Sequence, residues 1–149
     1  MSTNAVLRAA AELLSYIYAE IVLCPLPEER ELLLSAGNES PETFFHVCRL
    51  VLGTNMSIAF RRICIYTSNY CDSLLEHFDE WSQQSDADII IDTANLKVAA
   101  VEYLAQYAPI DFIEEKANLD SLAYQSRCCY NQVLKRYRSY LQSFNSKRT

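Results

Sequence analysis

The chain has 149 residues, of which 50% are hydrophobic and 21% are charged. This length corresponds to about one domain, and the composition is typical of a globular protein rather than a disordered one. Only two glycines and four prolines occur, which argues against a turn-rich β-sandwich and favours long helices with few breaks. The net charge of −6 disfavours nonspecific nucleic-acid binding, which depends on neutralising phosphates.

The N-terminal segment and the cysteines bear on the cellular compartment. Arg8 and Glu12 interrupt the N-terminal segment, which lacks the apolar run of a secretory signal. Most cysteines fall within apolar helical patterns, where a free thiol packs as a small hydrophobe, so we expect a reduced, cytosolic protein. No stretch of about 18 uncharged apolar residues occurs, so we expect no transmembrane anchor. The six cysteines are Cys24, Cys48, Cys64, Cys71, Cys128 and Cys129.

Apolar residues at helical spacing predict three helices in the first third of the chain. The first runs from about residue 4 to residue 23 and ends before Pro25. The second opens at Pro27 and ends at Gly37, which we interpret as a C-terminal capping glycine. The third opens at Ser40-Pro41-Glu42, a cap followed by an N1 proline and an acidic first turn, and stops at Gly53.

A long fourth helix is predicted from Asn55 to about Trp81. Its middle, from Ile58 to Leu75, is apolar almost all round, a pattern typical of the buried centre of a domain. Arg61 and Arg62 stand near its N-terminus, where both burial and the helix dipole oppose a positive charge. These two arginines are therefore the unusual feature of the segment.

The rest of the chain, residues 82–149, is also predicted to be mostly helical. The polar segment 82–88 is expected to be a loop, and Asp92 to cap a fifth helix that Pro109 ends. A short turn of helix should follow from Asp111 through Lys116, and a final helix should run from residue 118 to about residue 144. We interpret the basic residues at the end of the chain as a solvated helix face, with attraction to an anionic membrane or an acidic partner as the alternative.

Residue types that carry out catalysis are scarce. His46 and His77 are the only histidines, and neither has a neighbour at the spacing of metal ligands. The adjacent Cys128 and Cys129 cannot both lie on one face of a helix, and two isolated glycines exclude a Gly-rich phosphate loop. We therefore predict a protein-binding domain that is not an enzyme and holds neither a cofactor nor a metal.

A groove is the expected binding surface. Short amphipathic helices cannot fully cover a long apolar helix, and the groove left between them can bind an amphipathic helix through anchors at i, i+3 or i+4, and i+7. An arginine at the rim, such as Arg62, would pair with an acidic residue of that helix and set its register.

Three segments in this order resemble the homology regions of the Bcl-2 family of apoptosis regulators. The strongest lies at 112–122 and is similar to homology region 2, W-I-x-x-x-G-G-W-x-x-F. Ile113 matches the motif, and Asp120 matches an aspartate that is common in the family. Phe112 and Leu119 stand in place of the two tryptophans, Ala117-Asn118 in place of the glycine pair, and Leu122 in place of the phenylalanine.

The other two segments precede it. Homology region 1, N-W-G-R-[IV], resembles Ala59-Phe60-Arg61-Arg62-Ile63, in which the arginine and the aliphatic residue match while Ala59 and Arg61 replace Asn and Gly. Homology region 3, L-x-x-x-G-D-E, resembles the segment from Leu33 to Glu39, with Asn38 in place of Asp.

This resemblance implies an all-α Bcl-2-like helical bundle, residues 1–149, around a buried central helical hairpin with a surface hydrophobic groove. It implies a divergent viral pro-survival member that inhibits apoptosis by sequestering the homology-region-3 helix of pro-apoptotic Bcl-2 proteins. We expect such a protein in the cytoplasm of the host cell or peripherally at mitochondria. The residues expected to form the groove are Phe44, Phe45, Val47, Cys48, Val51, Phe60, Arg62 and Ile63.

Two alternatives remain open at this point. The replacement of Asn and Gly by Ala59 and Arg61 favours a Bcl-2-like scaffold that blocks an innate-immune signalling adaptor instead of binding death helices. An unrelated helical interaction or dimerisation module is the second alternative, and the ten tyrosines supply aromatic surface for a homodimer, which could cover the groove.

Overall fold

The computed structural model describes residues 3–109 and 116–148. Every element in these two ranges is a helix and none is a strand, which confirms the all-helical prediction. The helices are α1 (Thr3–Ile21), α2 (Pro27–Ala36), α3 (Pro41–Leu52), α4 (Met56–Glu76), α5 (Phe78–Trp81), α6 (Ala87–Tyr107) and α7 (Lys116–Arg148), with a 3-10 turn at Gly53–Asn55.

The predicted helix starts at Pro27 and Pro41 are confirmed. Pro41 is the first residue of α3, and the Ser40 side chain caps the helix by accepting a hydrogen bond of 3.2 Å from the Thr43 backbone N–H. At the other end of α3, Gly53 adopts φ +52, a conformation that glycine reaches without steric cost.

Gly37 follows α2, but the predicted reason for a glycine there is wrong. Its φ is −64, so it does not adopt the left-handed conformation of a capping glycine. A Cβ at this position would lie 2.8 Å from the Ala11 Cβ and 3.0 Å from the Arg8 Cα. Gly37 is therefore required because the end of α2 approaches α1 closely.

The predicted boundaries around the middle of the chain need three corrections. The fourth helix does not reach Trp81 without interruption, because it ends at Glu76 and α5 follows as a separate turn. Asn55 makes no capping hydrogen bond with its side chain. Asp92 is not a cap either, since α6 begins at Ala87 and Asp92 lies in its second turn. The helical turn predicted from Asp111 lies outside the described residues up to residue 115.

Two adjoining clusters of buried side chains form the core. The first joins α1, α2 and α3 to the N-terminal half of α4, the C-terminal half of α6 and the start of α7. The second joins the C-terminal end of α4 and the middle of α7 to α5 and to the first half of α6. The most enclosed helix is α1, in which Ala9, Ala10 and Ala11 are all buried because alanine lets neighbouring helices approach closely.

The complete burial predicted for α4 is wrong. One face is buried and carries Phe60, Ile63 and Cys64, while Ile58 and Ile65 on the opposite face are exposed. The helix therefore has one buried face and one exposed face, although both faces carry apolar residues.

The last helix, α7, runs parallel to α4. Ser126 lies 2.9 Å from Ser68 through their hydroxyl oxygens, and further along Arg136 donates a hydrogen bond of 3.1 Å to the Leu75 carbonyl. On its other side Arg127 donates hydrogen bonds of 3.0 Å to Glu102 and 2.9 Å to Asn95 of α6. These contacts pack α7 against both α4 and α6.

All six cysteines are free thiols, of which Cys48, Cys64 and Cys71 are buried and Cys24 is exposed. Among the described helices, none combines the length and the apolarity needed to cross a membrane. The described ranges also contain no group of three or more His, Cys, Asp or Glu side chains that could hold a metal ion.

Candidate helix-binding surface

The eight residues predicted to form a groove lie close together, but most of them are interior. Five belong to the first core cluster, and the most accessible of these five, Phe45, is only 7% exposed. Val47 and Val51 are half-buried at the edge of the same cluster. A groove lined by these aromatic and thiol side chains is therefore not open on the surface of the described residues. The five are Phe44, Phe45, Cys48, Phe60 and Ile63.

Arg62 is the exception, because its side chain is exposed on the outer side of α4. Ile58 and Ile65, four residues before it and three residues after it, are 48% and 43% exposed. Residues at these spacings lie on one face of a helix. We call the exposed residues Ile58, Arg61, Arg62, Ile65 and Asn69 the Arg62 face.

The two arginines of this face have no partner within the described residues. Neither guanidinium makes a hydrogen bond or an ion pair there. Exposure also explains how the chain tolerates two charges that the sequence pattern places in an apolar helix, since an exposed guanidinium keeps its hydration. The Arg62 face thus combines two free cations with two exposed aliphatic side chains.

The neighbours of α4 hold this face in place without covering it. The Ser68–Ser126 contact fixes α4 to α7. On α1, the ring of Tyr16 contacts the ring of Tyr66 with 5.5 Å between centroids. The Arg62 face is therefore presented by a helix that is anchored to two others, and a rigid helix positions side chains more accurately than a loop does.

A surface cleft of about 490 Å³ lies near the start of α3 and is the place where Phe45 reaches the surface. It is lined mainly by polar side chains, including Glu42, His46 and Arg49, together with Pro109 after α6. The Phe45 ring stacks on Tyr103 at 6.3 Å between centroids. This cleft is more polar than the groove expected for an amphipathic helix.

The thiols of the buried cluster are poor candidates for nucleophiles. Burial raises the pKa of Cys48 and of Cys64 to about 12, so the thiolate that would attack a substrate is scarce near neutral pH. A base beside the thiol would also be needed, but His46, two residues before Cys48, is exposed while Cys48 is fully buried.

Sequence reasoning did not include Ile58 and Ile65 in the site. The signal that could have found them is their spacing from Arg62, which puts all three residues on one face. Sequence alone does not mark them as exposed, because an isoleucine in an apolar helix is more often interior.

No family model matches the chain, and neither a known protein nor a solved structure is significantly similar to it. The function has to be inferred from the residues of the chain itself.

Proposed function

We propose that the chain is a Bcl-2-like helix-binding domain that inhibits apoptosis by sequestering the homology-region-3 helix of pro-apoptotic proteins. The main support is Arg62, an exposed cation without an intramolecular partner among the described residues, flanked on the same face by Ile58 and Ile65. An amphipathic helix with an acidic residue between two apolar anchors complements this pattern in both charge and spacing.

The arrangement of the three resembling segments gives further support. Leu33 from the region-3-like segment, Phe60 and Ile63 from the region-1-like segment, and Leu119 from the region-2-like segment all belong to the first core cluster. These segments are far apart in sequence, so their convergence on one core is a property of the tertiary fold. It is the arrangement expected if the three resemblances have a common origin.

The residues that would contact the ligand differ from those expected from sequence. The buried aromatic side chains act as the core that holds α4 in place, and the Arg62 face makes the contact. Arg62 forms a charge-assisted hydrogen bond with the acidic residue of the ligand, while Ile58 and Ile65 bury against its apolar residues.

The deciding experiment is a fluorescence-anisotropy titration of labelled homology-region-3 peptides against the wild type and Arg62→Glu. Removing one partner of a desolvated charge pair costs about 2–5 kcal/mol, so we expect Arg62→Glu to weaken binding by roughly thirty-fold or more. The matched control is Arg138→Glu, an equivalent charge reversal at an exposed position of α7, which should leave binding unchanged.

Two results would count against the proposal, and they are distinct. If no pro-apoptotic helix binds the wild type, the proposed function is wrong. If a helix binds but Arg62→Glu has no effect, the role of Arg62 is wrong. A peptide whose acidic residue is replaced by lysine should bind Arg62→Glu better than it binds the wild type, which checks that the two charges meet directly.

A second candidate is a Bcl-2-like scaffold that blocks an innate-immune signalling adaptor. The observation that favours it is the burial of the groove aromatics, combined with Arg61 at the position where the family has glycine. In that case pro-apoptotic helices should not bind, and signalling through the adaptor should fall in cells that express the wild type.

A further inference from the structure

A small cavity lies between α1, α4 and α6, and it uses none of the residues of the Arg62 face. Its volume is about 180 Å³. For comparison, an engineered apolar cavity of about 150 Å³ binds benzene, whereas pockets for drug-sized ligands measure about 300–1,000 Å³. The cavity between α1, α4 and α6 therefore has room for a small metabolite, and it opens to solvent beside Tyr16, which is 50% exposed.

The cavity has an apolar floor and an aromatic wall. Ala9 and Leu13 of α1 line it and are both buried. Tyr16 and Tyr66 also line it, and their rings contact each other with an angle of 42° between their planes. These surfaces fit an apolar side chain, because moving such a group out of water lowers the free energy.

Lys97 of α6 lines the same cavity and lacks an oxygen partner. Its Nζ lies 5.5 Å from the centroid of the Tyr66 ring and 5.2 Å from that of the Tyr70 ring. Among the described residues it makes no hydrogen bond and no ion pair. Burial lowers the pKa of Lys97, and the carboxylate of Glu12 opposes that effect. An ammonium has three donors, and a ligand carboxylate could accept from them.

Glu12 supplies the opposite charge at the cavity. It influences Lys97 through the electrostatic field without forming an ion pair with it. A ligand with only a carboxylate would pair with Lys97 but be repelled by Glu12, and a ligand with only an amine would pair with Glu12 but be repelled by Lys97. A zwitterion satisfies both charges.

We propose that this cavity binds a free α-amino acid with a small apolar side chain. Lys97 binds the carboxylate, Glu12 binds the ammonium, and the side chain packs on Ala9 and Leu13 beside the tyrosine rings. This site is separate from the proposed helix-binding function, so either can fail without affecting the other.

The test is an isothermal titration of the full chain with leucine and two analogues that each lack one charge. 4-Methylpentanoate has no ammonium, and 3-methylbutylamine has no carboxylate. We expect saturable binding of leucine and at least ten-fold weaker binding of both analogues. Equal binding of either analogue, or no saturable binding of leucine up to tens of millimolar, would overturn the proposal without any variant being needed.

Variants then assign the charges. Glu12→Gln and Lys97→Met should each weaken leucine binding at least ten-fold. Their matched controls, Glu76→Gln and Lys135→Met, change exposed residues of α4 and α7 and should bind leucine like the wild type. Circular dichroism checks that each variant folds. If folded Glu12→Gln and Lys97→Met bind leucine normally, the proposed site is wrong.

Discussion

The two faces of α4 differ in what their apolar residues do. On the inner face Phe60 and Ile63 are fully buried in the first core cluster, whereas on the outer face Ile58 and Ile65 lie beside two arginines without a partner among the described residues. The residue types overlap, but the inner face stabilises the fold and the outer face is available to a partner. An exposed aliphatic residue is ordinary by itself, and it becomes informative here because a free cation lies between two of them.

The largest expected effect comes from the inner face. Phe60→Ala should lower the free energy of unfolding by about 3–5 kcal/mol, because it removes a fully buried ring and leaves a cavity. Urea denaturation followed by circular dichroism measures this change. The control on the outer face, Ile58→Ala, should stay within about 0.5 kcal/mol of the wild type. If the two variants lose the same free energy of unfolding, the two faces do not differ in their contribution to stability.

The thiols of the inner face predict a loss of stability at alkaline pH. Burial raises the pKa of Cys64 from 9.0 to about 12 and that of Cys71 from 9.0 to about 11. Since both folded-state values lie above 9, the native state keeps protons that the unfolded state loses. The stability that these thiols contribute is fully present below pH 9. It is lost at roughly 1.4 kcal/mol per pH unit for each thiol, between pH 9 and about 11 for Cys71 and between pH 9 and about 12 for Cys64.

Urea denaturation at pH 8, 9, 10 and 11 tests this expectation. Cys64→Ala should reduce the decline of the unfolding free energy above pH 9 by roughly 1.4 kcal/mol per pH unit, the contribution of one thiol. Cys24→Ala, at an exposed position, serves as the control and should leave the slope unchanged. A slope that does not respond to Cys64→Ala would show that the inner thiol ionises freely in the folded protein.

A smaller effect, confined to binding, is expected from the outer face. Ile65→Glu should weaken binding of the proposed ligand helix by about ten-fold or more. The substitution removes an apolar anchor, which contributes about 1.5–3 kcal/mol when fully buried, and it adds a charge that repels the acidic residue of the ligand. Anisotropy titration measures the loss, and the free energy of unfolding should change little. The matched control is Ile89→Glu on α6, an exposed isoleucine away from the Arg62 face. If both variants bind normally, the ligand does not use this surface.

Local chemistry made the helix starts predictable. Ser40 with Pro41, and Pro27 with its following glutamates, act within one turn of the chain, so they need no tertiary information. Asp92 failed as a cap because many aspartates also occur within helices, and the choice between Ala87 and Thr93 as a start depends on packing. The end of α2 at Gly37 is confirmed, but the reason for a glycine there, the close approach of this residue to α1, is not visible in the local sequence.

The candidate site was predictable in part. Arg62 was singled out because a cation in an apolar helix demands an explanation, and it is exposed without a partner among the described residues. The aromatic residues of α3 were assigned to a groove because the resemblance placed them there, and they are interior instead. Periodicity indicates that a helix has an apolar side, but it does not distinguish a side covered by the chain itself from one left for a partner.

The sequence by itself determined that this chain forms long helices, where several of them begin, and that it carries two charges in an otherwise apolar segment. These properties follow from local propensity, capping and composition, which act over a few residues. Only the tertiary structure decided that Phe60 and Ile63 face inward while Ile58, Arg62 and Ile65 face outward, and that Lys97 and Glu12 line the same cavity. The reason is that burial depends on which distant helices pack against each face, and α1, α6 and α7 are brought to α4 from far along the chain.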